Sequence, residues 1–157
     1  MTIPGAHSVH PASMSRGARP RCDNGRVFKW TPEMAIGDPE IDAQHLGLFE
    51  EAARFEAAAG AGEPHARLRA LLASIAGRAV EHFLAEEKLM RDVGYPRLAQ
   101  HVQEHTYVKR RFRSLVPQWD SEGDSAEMIM VLLGFLDLWL NTHVAHSDRQ
   151  LGDFLGK

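Results

Sequence analysis

The sequence predicts an all-α protein: an up-down-up-down antiparallel four-helix bundle behind an irregular N-terminal extension. Three observations carry this prediction. Apolar residues recur at alternating spacings of three and four over four separate stretches of about 20 residues each, the period of a helix with one buried face. Glycine, proline and small polar residues interrupt those stretches at three places. No strand-like alternation of useful length and no internal repeat occurs. Short turns between long helices make sequence neighbours antiparallel, which is the bundle.

Each element has its own signals. "VFKWTPEMAIGD" reads as an extended or irregular lead-in, with Trp30 capping one end of the core. The first helix starts at Asp38 as N-cap with Pro39 in the first helical position. Its stripe runs Ile41, His45, Leu48, Ala52, Phe55, Ala59 until "GAGE" ends it. The second helix spans about Pro64 to Arg91 with the stripe Leu68, Leu72, Ile75, Ala79, His82, Glu86, Leu89. Gly94 then stops a helix and Pro96 opens the next. The third carries Leu98, His101, His105, Val108, Phe112 and Leu115, and Pro117 with "DSEGDS" forms the next break. Asp124 with Glu127 resembles a capping box for the fourth helix, whose stripe is Ile129, Leu132, Leu136, Trp139, His143.

Composition narrows the function classes. A chain of 157 residues is most simply one domain, placed at 27–157, with 1–26 as a disordered tail rich in Gly, Pro, Ser and Arg. The tail lacks the apolar centre of a secretory signal. The single Cys22 forms no internal disulfide and supplies no thiolate site, which fits a reducing, cytoplasmic setting. A formal net charge of -3 makes no electrostatic case for nucleic acid, and "KRRFR" at 109–113 reads as a solvated helix face. The longest apolar run, "MIMVLLGF", falls well short of the roughly 20 residues that span a bilayer, so no membrane partner is expected.

The chemistry is carried by an oddity of the stripes. Each one contains histidine: His45 on the first helix, His82 on the second, His101 and His105 on the third, His143 on the fourth. A lone buried histidine is usually a hydrogen-bonded core residue, but five on four converging stripes point to metal. Glu86, one turn after His82, would be costly to bury unless a cation sat beside it. In an antiparallel bundle, early in the first and third helices coincides with late in the second and fourth, so these residues meet near one end. Asp148 supplies a further carboxylate just after His143. The set is too large for one ion and lacks the sulfur usual in structural zinc sites. Imidazole with carboxylate suits iron among other transition metals. If two six-coordinate irons share five imidazoles, two bridging carboxylates and one bridging oxide or hydroxide, all but one of the twelve positions are filled. One stays open for a small ligand. Around it lie Leu48, Phe83, Trp139, Leu140 and Val144, apolar as a water-excluding pocket needs and as ordinary bundle core would also be.

The motifs "IDAQHLGLF", "HFLAEE", "HVQEH" and "WLNTHVAHSD" resemble the hemerythrin family, specifically its bacterial single-domain members, over residues 28 to about 155. The resemblance implies a non-haem di-iron centre, two iron ions with an oxo or hydroxo bridge, that binds O₂ reversibly. It implies that His101, His105 and His143 hold one iron, that His45 and His82 hold the other with the open position, and that Glu86 and Asp148 bridge them. NO or small anions such as azide would compete for that position.

The expected function is therefore O₂ carriage, storage or scavenging rather than catalysis. The alternatives are O₂ or NO sensing through a separate partner, a di-iron oxidase or peroxidase, and iron handling. Ferritin-like di-iron enzymes are carboxylate-rich with Glu-x-x-His pairs, whereas this set is histidine-rich with His four residues before Glu. On the fourth helix, spacing and resemblance disagree. A regular helix places His146 near the face of His143 and turns Asp148 about 140° away. Only a carboxylate bridges two irons through separate oxygens, so Asp148 is the expected ligand. The helix must then widen between His143 and Asp148, with "SDRQLGD" the expected place.

Overall fold

The structure, a computed structural model, describes residues 28–156. The expectations for residues 1–26, Cys22 among them, lie outside the described residues. Helix α1, Pro39–Ala61, begins as its sequence dictates. The Asp38 side chain accepts from the backbone N–H of Glu40 and Ile41 at 3.0 and 3.1 Å, with Pro39 directly after it. It ends on Gly62 at φ 71°, a left-handed conformation cheap only for glycine. Helix α2 spans His65–Asp92, and Gly94 at φ 67° turns the chain so that the Tyr95 N–H reaches the Met90 carbonyl at 2.8 Å. Helix α3 spans Leu98–Glu122, and α4 spans Ala126–Asp137. Each connection is a few residues long, and α1 packs on α2, α2 on α3, and α4 on both α3 and α1. The fold is an all-α four-helix bundle.

Three boundaries differ from the sequence expectation. Helix α3 does not break at Pro117 but runs through it. Proline inside a helix costs about 3 kcal/mol. The continuation buries Trp119 completely, on the stripe begun by Leu115. A buried Trp is worth about 3–5 kcal/mol against Ala, enough to offset the proline. Asp124 does not cap α4. Its carboxylate accepts from Trp119 Nε1 at 2.8 Å and lies 2.8 Å from His65 Nδ1, and Ser125 caps α4 by accepting from the Met128 N–H at 3.1 Å. Pro96 lies in a turn, and α3 starts two residues after it.

The fourth helix departs most from regularity. Beyond α4 the backbone widens into a π-helical segment, Leu138–Asp148, and returns to an α-helix, α5, at Arg149–Leu155. The widening therefore covers the interval from His143 to Asp148 where it was required, but it begins five residues earlier and extends only into the first two residues of "SDRQLGD". The whole rod, Ala126–Leu155, is long and apolar enough by length and composition to cross a membrane, although polar residues interrupt its apolar run. Its apolar side nevertheless belongs to the bundle core, with Leu132, Leu136, Leu140 and Val144 fully buried.

Two apolar clusters fill the interior. The larger one occupies most of the bundle, from Phe28 and Phe49 through Phe112 and Trp119 to Val144, with half-buried Trp30 packed against it. The smaller one, Ile36, Ile41, Met90, Tyr95 and Leu151, plugs the end where α1 and α3 begin and α2 and α5 end. The lead-in is thus structural: Ile36 is fully buried, and its N–H donates to Asp42 Oδ1 at 2.7 Å. Gly152 meets it directly, since a Cβ there would stand 2.9 Å from Ile36 Cα and 3.1 Å from its carbonyl oxygen.

Because that contact is with backbone, Gly152→Ala is expected to lower stability by about 1–3 kcal/mol, the usual range for overpacking. Gly134→Ala, on α4 with open space around the new methyl, is expected to raise it by about 0.5–1 kcal/mol. Denaturant unfolding of the two purified variants checks both signs.

Candidate metal centre

Between the two apolar clusters lies a layer of buried polar side chains. His45, His82, Glu86, His101, His105, His143 and Asp148 are all at most 6% exposed. α1 delivers His45, α2 delivers His82 and Glu86 one turn apart, α3 delivers His101 and His105, and the π segment delivers His143 and Asp148. The wide helix explains the last pair. An i→i+5 ladder brings residues five apart onto one face, so both turn inward while His146 stays exposed.

The ligand atoms form two groups that share a member. Glu86, His101, His105 and His143 make one; His45, His82, Glu86 and Asp148 make the other; within each group the atoms lie within 4.8 Å of one another. Glu86 Oε2 is 2.9 Å from His101 Nε2, 3.2 Å from His105 Nε2 and 3.8 Å from His82 Nε2. Asp148 divides its oxygens. Oδ1 faces His101 and His143 at 3.2 and 3.1 Å, and Oδ2 faces His45 at 3.0 Å and His82 at 3.9 Å.

These contacts leave too much unsatisfied for a finished polar core. His45 Nε2, His82 Nε2, Glu86 Oε1 and both Asp148 oxygens are buried without a hydrogen-bond partner among the described residues, even though His45 and Asp148 are close enough for an ion pair. Burying such groups unpaired costs about 1–3 kcal/mol apiece. The outer faces of the rings show what is missing. His105 Nδ1 lies 3.0 Å from Glu87 Oε1 and His143 Nδ1 lies 2.9 Å from Glu104 Oε2. Carboxylates only accept, so in the neutral rings Nδ1 carries the proton and Nε2 the lone pair. Yet the two Nε2 atoms face each other at 3.1 Å. His82 repeats the arrangement, with Nδ1 3.3 Å from Gln44 Oε1. Lone pairs and carboxylates converging on common points are what cations require, so the donor set fits metal.

The charges agree. Burial, opposed by the Glu86 carboxylate, pushes His82 down to about 3, which leaves it a neutral donor. Burial and the charge of Asp148 push the Glu86 carboxyl up, but His101 and His105 more than reverse this and hold it at about 2. Asp148 is likewise held well below the usual range: burial works against it, and His143, His101 and His45 prevail. Burial lowers His101, yet Asp148 and Glu86 bring it up to about 10. Without metal, then, protons on imidazole neutralise the two carboxylates, and metal and protons compete for the same nitrogens.

The expected pocket residues Leu48, Phe83, Trp139, Leu140 and Val144 are all buried and all join the larger apolar cluster. Phe83 stacks on His105 at 4.0 Å between centroids and lies 5.6 Å from His82, so it borders both donor groups. A groove of about 410 Å³ between α3 and the π segment reaches His143 and Glu104 from outside. Sequence reasoning missed Gln44, Glu87, Glu104 and Ser147, whose hydroxyl donates to Glu104 Oε2 at 2.5 Å. Only adjacency could have found them, since Gln44 precedes His45, Glu87 follows Glu86, Glu104 precedes His105 and Ser147 precedes Asp148.

Comparison with known proteins agrees with this geometry. A family model described as the hemerythrin HHE cation binding domain matches residues 37–155. The bacteriohemerythrin of Aquifex aeolicus (strain VF5) is 34% identical over 77 residues, 46% of this chain and 59% of that protein. The bacteriohemerythrin of Clostridium acetobutylicum is 26% identical over 131 residues, 81% of this chain and 100% of that protein. That of Stenotrophomonas maltophilia (strain R551-3) is 24% identical over 127 residues, 81% of this chain and 80% of that protein. With most of its length matched and a buried histidine–carboxylate cluster built from all four helices, the chain belongs to the hemerythrin family.

Proposed function

We propose that the buried cluster holds two iron ions and that the protein binds O₂ reversibly, as a carrier, store or scavenger. One observation carries the reading: two donor groups share Glu86, and Asp148 turns one oxygen to each of them. Shared in that way, two carboxylates suit a metal pair better than two separate ions. His101, His105 and His143 would hold one iron and His45 and His82 the other, with Glu86 and Asp148 shared between them and an oxide or hydroxide as the expected further ligand. An iron pair supplies the electrons by which O₂ is held and later returned.

The remaining work falls to the chain itself. The two-histidine group has fewer protein donors, so the vacant position for O₂, NO or an anion such as azide belongs there. Leu48, Phe83, Trp139, Leu140 and Val144, each 4% exposed or less, keep water and protons from that position. Exclusion of protons is what separates reversible binding from loss of reduced oxygen to solvent. Five imidazoles and two carboxylates donate less negative charge than carboxylate-rich di-iron enzyme sites, which favours binding over cleavage of the O–O bond.

The purified chain is expected to carry two irons and, after anaerobic reduction, to gain a visible charge-transfer band in air that disappears on deoxygenation through repeated cycles. One metal per chain after loading with excess iron, or irreversible oxidation after the first cycle, overturns the proposal.

Asp148→Ala is expected to abolish that band or the second iron, whereas His146→Ala leaves both within about 20% of wild type, since its side chain points outward and outer substitutions perturb little. The opposite pattern in elemental analysis and absorbance means that His146 is the ligand.

Leu48→Ala is expected to speed autoxidation and azide entry severalfold at unchanged iron content, because it opens the apolar wall one turn from His45. Stopped-flow rates equal to wild type assign Leu48 to packing alone.

A further inference from the structure

The two donor groups are backed unequally. In the three-histidine group, His105 Nδ1 and His143 Nδ1 each donate to a carboxylate, at 3.0 Å to Glu87 and 2.9 Å to Glu104. In the two-histidine group, His82 Nδ1 reaches only the neutral amide oxygen of Gln44, at 3.3 Å, and His45 Nδ1 has no hydrogen-bond partner among the described residues. A carboxylate behind an imidazole fixes its tautomer and ring plane and increases the basicity of the nitrogen facing the metal. An amide oxygen at longer range does less, and an unpartnered ring gains nothing.

The two carboxylates are not equivalent either. Glu87 also faces Arg91 at 3.9 Å and Lys109 at 4.0 Å, cations that draw on its charge. Glu104 accepts from the neutral hydroxyl of Ser147, which orients it without neutralising it. Of the two, Glu104 is the stronger support.

Resting on the di-iron reading, we infer that the two metal positions differ in affinity and fill in order: the three-histidine position first and tightly, the two-histidine position second and weakly, with Glu104 and Glu87 as the positioning residues that set the difference. A chain holding a single ion in the three-histidine group is then a populated state whenever iron is scarce. The position that lacks a full complement of protein donors, and so takes the exogenous ligand, is also the one that empties first.

The test is chelator competition on the reduced, anaerobic full-length protein, with bound iron per chain measured against increasing concentration of an iron(II) chelator. The expected curve falls from two to one, holds a plateau at one over at least a tenfold range of chelator, and then falls to zero. Glu104→Gln, isosteric and on a half-exposed position, should leave the first fall in place and draw the second toward it, shortening the plateau by about 10–100-fold in chelator or closing it, the usual cost of losing such a partner. Glu87→Gln should move the same edge by less, and Gln44→Glu should move the first fall to higher chelator. A single fall from two to zero in wild type overturns ordered filling while leaving the di-iron reading intact. So does an equal shift of both edges in Glu104→Gln, the mark of a general structural role. Fewer than two irons per chain at saturating iron(II), before any chelator is added, overturns the di-iron reading itself.

Discussion

Two ionised carboxylates with no solvent exposure, Glu86 and Asp148, are the constraint around which the molecule is organised. An isolated carboxylate in a dry interior costs several kcal/mol even after relaxation, and here two lie together. Everything near them supplies positive charge or positions a group that does. Five imidazoles converge on their oxygens, and the outer nitrogens of three rings are held by Glu87, Glu104 and Gln44. Protons on imidazole balance them in the absence of metal, and cations at the centre would take over that role. On the proposed reading, stability would therefore change with metal content.

The bundle shape follows from where this layer sits. A polar layer cannot be the whole core, and one left open at the end of the bundle would admit water. The chain meets both demands with two apolar clusters, one filling the body and one closing the end. The closure is drawn from the lead-in, the ends of α2 and α5 and the start of α1. Its members flank the ligands in sequence: Ile41 precedes His45, Met90 follows Glu86, Leu98 precedes His101 and Leu151 follows Asp148. One ligand on each helix thus has an apolar residue of the plug three or four positions away.

How much of this was legible in the sequence varied with how local the cause was. Helices α1 to α3 and their stripes could be read because the period is imposed residue by residue, and Asp38 and Gly62 signal their caps by chemistry alone. The passage of α3 through Pro117 was not legible, because it depends on what Trp119 meets across the bundle. The same contact takes Asp124 away from capping duty. The ligand histidines were visible through their shared position on apolar faces. Glu87, Glu104 and Gln44 were not, since each lies off its stripe and acts on a ring from another helix. For the fourth helix the need for a wide turn was legible from the clash between spacing and coordination chemistry. Its start, five residues before His143, was not.

That wide turn reaches beyond the ligand it presents. Continued as a regular helix, the stripe that ends at Leu136, Trp139 and His143 would next bury Ser147, Gln150 and Phe154. The positions in fact buried include Asp148 and Leu151, each one residue beyond that register, with Gly152 beside them, while Phe154 is exposed. The π segment works as a one-residue insertion in helical phase, and everything downstream inherits the shift. The carboxylate and the apolar plug that covers it are therefore set by the same phase. A deletion of one residue within 138–148 would restore an ordinary helix, and it would turn out of the core both the group that needs burial and the groups that bury it.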